Sequence, residues 1–183
     1  MKEEPSDHVV IGFKVPQNGW HAAKFQEGID YLPAGKGKDG YYQNEKGFKT
    51  LKLPCLVDDQ EDQDHEAQIN VLINTENGQK NMASILLCVG LWDAVNKRFP
   101  GKDVTVFDQP VVEGIKVKLP GLTCMMRTEI DKNNNASPRE IVSHAKYKEI
   151  AAAEKVKAAE GKKGGGKAAA AAPAPEAETP KEW

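Results

Sequence analysis

The chain has 183 residues, with 25 Lys+Arg against 27 Asp+Glu, a net charge of −2 and 39% hydrophobic residues, which suits one ordinary domain with an appended segment and excludes wholesale disorder. Its longest apolar stretch, Met82 to Trp92, is eleven residues and contains Ser84 and Gly90. That is short of the roughly 20 residues of a membrane span, so a soluble protein is expected.

The acidic opening MKEEPSDH has no apolar core, so no export signal is expected and residues 1–19 are taken as an N-terminal arm. Trp20 to Leu32 is extended in character, with Gly28 interrupting it as at a bulge or bend. Ala34 to Gly40 is a glycine- and lysine-rich loop, followed by Tyr41-Tyr42-Gln43 and a turn at Asn44 to Gly47. Phe48 to Val57 alternates as a half-buried strand does. The acidic loop Asp58 to Glu66 carries six acids and no Lys or Arg. Ala67 to Asn74 alternates again, and Asn77-Gly78 closes that strand. Gln79 to Arg98 has helical period, with Met82, Ile85, Leu86 and Val89 on one face, Cys88 among the core residues and a break at Gly90. Asp103 to Phe107, Ile115 to Leu119 and Leu122 to Ile130 are expected strands, separated by turns at Pro110 and Pro120-Gly121.

After the Asn133-Asn134-Asn135 cluster, Ser137 can cap a helix with Pro138 at its first position and Glu140 completing a capping box. A charged helix is therefore expected over 137–160, with a thin apolar stripe of Ile141, Tyr147, Ile150 and Val156. The remainder, 161–183, is a Gly/Ala/Pro-rich tail with nothing to pack, ending in Glu182-Trp183. An aromatic at the tip of such a tail is useful only where a partner surface receives it.

Three strands, one helix, then two or three strands is mainly β. It is the layout of a five-stranded OB-fold-like Greek-key barrel over 20–132, with a split α+β sheet as the alternative of similar element count. Cys55, Cys88 and Cys124 are odd in number and lack ligand spacing, which speaks against a disulfide framework or a zinc site and for a reducing cytoplasm. Nucleophile-elbow, phosphate-loop and zincin motifs are missing. His8, His65 and His144 are expected to be solvated, so neither an enzyme nor a cofactor or metal is expected. The acids of 58–66 lack the spacing of a calcium loop and suit a solvated charge run.

The near-neutral total conceals a basic body. Without the acidic run and the last eleven residues, 24 basic residues face 18 acidic ones. Lysines interleave with aromatics at Trp20, Lys24, Tyr31, Lys36, Lys38, Tyr41, Tyr42, Lys46, Phe48, Lys49 and Lys52. Single strands are bound by cations tracking phosphates and by aromatic faces that stack on bases. Phe25 and Phe48 suit the core as well as a base, Trp20 suits either, and Tyr41-Tyr42 can divide between core and surface. Lys116 and Lys118, sharing one face of the expected strand, and Arg127 would extend the basic surface.

The stretches Ile29-Asp30-Tyr31-Leu32-Pro33-Ala34-Gly35 and Gly47-Phe48-Lys49-Thr50-Leu51-Lys52-Leu53, with Gly90-Leu91 after an apolar helix, give a pattern that resembles the phage-encoded single-stranded DNA-binding proteins of recombination and replication cassettes. The resemblance spans about Trp20 to Ile130. It implies an OB-type barrel that coats and protects single-stranded DNA in the bacterial host cytoplasm. It also implies recruitment of replication or recombination proteins through a tail tipped by an aromatic, here Glu182-Trp183, although Lys181 and the Ala/Pro spacer dilute the acidity usual there. Two other readings stay open: a protein-interaction barrel without nucleic-acid binding, and a divalent-ion nuclease using the acids of 58–66. Oligomeric state and DNA against RNA preference are not legible in the sequence.

Overall fold

The computed structural model describes residues 1–11, 19–32, 50–58, 64–72, 75–101, 103–130 and 136–161. The loop, tyrosine pair and turn expected over 33–49 and the tail from 162 lie outside these. The described elements are strands β1 His8–Val10, β2 Trp20–Phe25, β3 Asp30–Tyr31, β4 Thr50–Asp58 and β5 Asp64–Leu72. Helices α1 Glu76–Cys88, α2 Trp92–Arg98 and α3 Gln109–Lys118 follow, then β6 Thr123–Ile130, β7 Ala136–Val142 and α4 His144–Gly161. The fold is mainly β, a curled and largely antiparallel sheet carrying four helices. No helix among the described residues is long and apolar enough to cross a membrane.

The sheet is built on the β4–β5 hairpin, which pairs in register from Thr50↔Leu72 to Asp58↔Asp64. Leu51, Leu53, Cys55 and Val57 are buried on one face with Ala67, Ile69 and Val71, while Glu66, Gln68 and Asn70 are exposed on the other. This is the period of two that the sequence shows. The acidic run is less of a loop than expected. Asp58 and Asp64 to Glu66 continue the strands, because ladder hydrogen bonds form whatever the side chain.

The remaining pairings run β4–β2, β2–β6, β6–β7 and, in parallel at Ala67↔Ala136, β7–β5. They return to the starting hairpin, so the sheet curls on itself around the core. β1 pairs with β7. Residues 1–11 of the N-terminal arm are thus part of the fold. The Met1 ammonium donates to Asn96, and the Ser6 N–H donates to the Ser84 hydroxyl of α1.

Helices depart from the expected boundaries for local reasons. Thr75 caps α1 by accepting the Gly78 N–H at 3.0 Å, so Asn77-Gly78 opens the helix instead of closing a strand. A Cβ at residue 78 would lie 1.6 Å from the Leu72 carbonyl oxygen, which is why glycine stands there. At the other end Gly90 takes φ +76°. Its N–H bonds the Leu87 carbonyl at 3.0 Å and the Leu91 N–H bonds Leu86 at 2.8 Å, a Schellman ending that splits α1 from α2.

Two expected strands are not strands. Asp103 to Phe107 is turn, closed by the Asp108 carboxylate accepting from Thr105 N–H at 2.9 Å. Ile115 to Leu119 belongs to α3 and its C-terminal cap, and Pro110 lies in the first turn of that helix. Val111, Val112, Ile115 and Leu119 are buried while Val117 is 74% exposed, a helical stripe that alternation imitates over five residues. Lys116 and Lys118 consequently do not share a face.

The expected capping box at Ser137-Pro138-Arg139-Glu140 is strand β7. It pairs with β6, with a register shift at Arg127/Thr128 that leaves Arg139 as the extra residue; bulges of this kind tolerate a nearby proline. Helix α4 begins seven residues later than expected, capped by Ser143 accepting the Lys146 N–H at 3.1 Å. Its first two turns dock through Tyr147, Ile150 and Ala151 against Met125, Val142 and Trp20, while Val156 is 57% exposed. His144, expected in solvent, is buried and shares a 3.0 Å hydrogen bond between Nε2 and the Thr123 hydroxyl. Burial, and then Lys148, lower its pKa from 6.5.

Gly78→Ala should lower stability by about 1–3 kcal/mol or more. Gly19→Ala, where nothing lies within 4 Å of the added Cβ, should stay within about 0.5 kcal/mol. Thermal melts of the two variants check the contrast. For His144, the unfolded chain binds a proton more tightly than the folded one. Stability present above the unfolded pKa of 6.5 should therefore fall as pH drops through the window beneath it. Urea melts on either side of that pH should show the loss, and His144→Gln should reduce it.

Candidate nucleic-acid interface

The outward face of the β4–β5 hairpin floors a groove of about 910 Å³. Directly paired residues point the same way, so register turns this face into a grid. Lys24, Leu56 and Glu66 form one row across β2, β4 and β5; Pro54 and Gln68 form the next; Asp30, Lys52 and Asn70 form the third. Ile11, Pro138 and Arg139 line the side towards β7, and Gln26 and Glu27 the side towards β2. The Gln68 side-chain amide donates to Asn70 Oδ1 at 2.6 Å.

A proline inside a strand paired on both edges would break a ladder. Pro54 avoids this by facing the interruption between β2 and β3. Its carbonyl accepts the Gln26 N–H at 2.9 Å, so its ring nitrogen, pointing the same way, meets the bend where Gly28 holds φ +87°. A Cβ on Gly28 would come to 4.0 Å of the Pro54 ring. The expected bend at Gly28 is there, and it creates the gap beside the groove floor.

The floor is electrically mixed. Lys52 and Arg139 face Glu27 and Glu66 across it. At its β3 end, Asp30 accepts the Tyr31 N–H at 2.8 Å and lies 3.4 Å from Lys116. The Tyr31 N–H, then Lys116 and Lys52, lower the Asp30 pKa despite some desolvation. Desolvation pulls Lys116 down, but Glu113 at 3.3 Å and Asp30 outweigh it and its pKa is raised. Cys55 lines the groove from beneath with its thiol buried, which pushes its pKa up to about 12.

Of the sequence-derived site residues, Lys52 is in the groove and Lys24 stands exposed in the grid's first row. Tyr31 packs against the core, and Phe25 is fully buried. Trp20 and Arg127 form a separate cluster beneath α4. The Arg127 guanidinium lies 5.1 Å from the Trp20 ring centre, Tyr147 lies 6.1 Å from it, and Glu140 and Glu154 pair with Arg127 at 3.4 and 3.8 Å. Lys116 ties α3 to β3, and Lys118 lies elsewhere on that helix.

Lys36, Lys38, Tyr41, Tyr42, Lys46, Phe48 and Lys49 lie outside the described residues, as do Glu182 and Trp183. The chain departs at Leu32 and returns at Thr50, two residues joined by a 2.9 Å hydrogen bond and one register step beyond the Lys52–Asn70 row.

Sequence reasoning missed Arg139, because its segment was assigned to a helix. It saw Gln68 and Asn70 only as the polar half of an alternating strand. Among the described residues no three His, Cys, Asp or Glu side chains come together to hold a metal.

No protein-family model matches the chain, and no curated protein matches it significantly.

Proposed function

We propose that the protein is a non-catalytic single-stranded DNA-binding protein and that the strand lies in the groove over β4 and β5. The observation that carries this is an open groove lined by Lys52 and Arg139; Leu32 and Thr50, which flank the lysine- and tyrosine-rich sequence 33–49, are paired one step beyond its Lys52–Asn70 row. In this reading the segment supplies phosphate contacts through Lys36, Lys38, Lys46 and Lys49, and base stacking through Tyr41 and Tyr42.

The finer fold assignment is the OB-fold. It is supported by the pairing cycle β2–β4–β5–β7–β6–β2, by the parallel contact between its third and fifth strands in chain order, and by the helices inserted between its third and fourth. Barrels of that kind bind oligonucleotides on the face of their second and third strands, which here are β4 and β5. In this reading, as the resemblance to phage recombination and replication proteins implies, the activity would act on DNA exposed in a bacterial host's cytoplasm, with Glu182-Trp183 as the recruitment tip.

A second reading is favoured by one specific observation: the charged residues in the groove balance. A protein-interaction barrel would need no more than that.

Fluorescence anisotropy of a labelled strand of about 30 nucleotides against its matched duplex separates the two. Single-strand binding that weakens with salt, with little duplex binding, is expected. Tyr41→Ala or Tyr42→Ala should cost about 1–3 kcal/mol of affinity, and Lys52→Ala should lower the salt slope by about one phosphate contact. Absence of single-strand binding at low salt would overturn the proposal in favour of a protein partner.

A further inference from the structure

A surface that only tracked phosphates would carry no carboxylates in its floor, yet Glu66 and Glu27 both line this one. Glu66 projects from β5 in the same row as Leu56 and Lys24, with Gln68 and Asn70 following at alternate positions along the strand. An ionised carboxylate only accepts hydrogen bonds, and beside a phosphate it repels. A strand lying in the groove is therefore driven to turn its phosphates towards Lys24 and Lys52 and its bases towards β5.

The rest of the row suits base edges. Because the Gln68 amide donates to Asn70 Oδ1 at 2.6 Å, the Gln68 carbonyl oxygen and the Asn70 amide hydrogens keep capacity for a further partner. No aromatic side chain lines the groove among the described residues, so contacts with this part of the floor are made by base edges and by the apolar surfaces of Pro54 and Leu56.

Resting on the single-strand reading above, we infer that Glu66 makes the groove select bases bearing an exocyclic amino group and disfavour thymine. Adenine, cytosine and guanine each present amino hydrogens that a carboxylate accepts, whereas thymine presents a carbonyl at the corresponding position of cytosine's amino group. Thymine's remaining N–H is flanked by two carbonyl oxygens that face the carboxylate unfavourably. Cytosine against thymine is the cleanest comparison, since both are pyrimidines.

The test uses the full chain and labelled homopolymers of deoxycytidine, thymidine and deoxyuridine, the last to remove the methyl group. The deoxycytidine strand should bind at least about fivefold more tightly than either of the others, the lower end of one base-specific contact. Glu66 is exposed, so Glu66→Gln should leave the fold intact, which circular dichroism checks. Its amide can donate to the thymine carbonyl, and the preference should fall towards unity through a gain in thymidine affinity. Lys24→Ala, by contrast, should weaken all three strands alike. Equal binding of the three strands by the natural chain, or a preference unchanged in Glu66→Gln, would overturn the role of Glu66 and leave single-strand binding standing. Absence of binding to every strand at low salt would overturn both.

Discussion

The β4–β5 hairpin sets the geometry on which every other part of this protein depends. Its strict two-residue period places Leu51, Leu53, Cys55, Val57, Ala67, Ile69 and Val71 in the core, and by the same constraint places Lys52, Pro54, Leu56, Glu66, Gln68 and Asn70 on the opposite face. A slip of one residue would exchange the two sets. The core thus fixes the outward surface, since the apolar residues that cannot be left in water dictate which polar ones line the groove.

Curling of the sheet follows from how its edges are finished. β7 gives one edge to β6 over most of its length and divides the other between β5, at Ala136, and β1, at Glu140 to Val142. The N-terminal strand therefore occupies an edge that β5 leaves early, while α1 covers the core from within. The bulge that leaves Arg139 unopposed in the β6 ladder lies between those two contacts. Its carbonyl takes the Ile11 N–H at 2.6 Å, and its side chain lines the groove. A local irregularity of backbone pairing thereby adds a cation to the wall facing the hairpin.

The parts of the fold that were legible in the sequence are those where one short-range rule acts alone. β4 and β5 announce themselves by alternation, α1 by its apolar face, and Gly28, Gly90 and Gly121 as breaks in the pattern, where the structure gives each a positive φ. The failures occur where two rules compete over few residues. Ile115, Val117 and Leu119 alternate like a strand, yet Val111 and Val112 complete a helical stripe whose partner surface is invisible in one dimension. Ser-Pro-Arg-Glu has the composition of a helix start, but Ile141 and Val142 just after it are fully buried, and long-range pairing with β6 decides the matter. The candidate site was legible only in part for the same reason. Lysine and aromatic content marks a binding class, but Trp20 and Arg127 are drawn into the α4 contact and Tyr31 into the core by partners distant in sequence.

Division of labour between floor and rim follows from these placements. Charged groups in the described floor balance, so the floor gives little net attraction for a polyanion; in the proposed single-strand reading the lysines of the sequence 33–49 would have to supply it. In that reading the directional acceptors and donors of the floor would act at contact, where net charge matters less. Pro54 and Gly28 meet where the sheet is interrupted between β2 and β3: a fixed φ faces a bend that needs no side chain. The groove floor is thus a polar face set by the register of the hairpin, and Leu32 and Thr50, joined one step beyond its last row, form a rung of the same sheet.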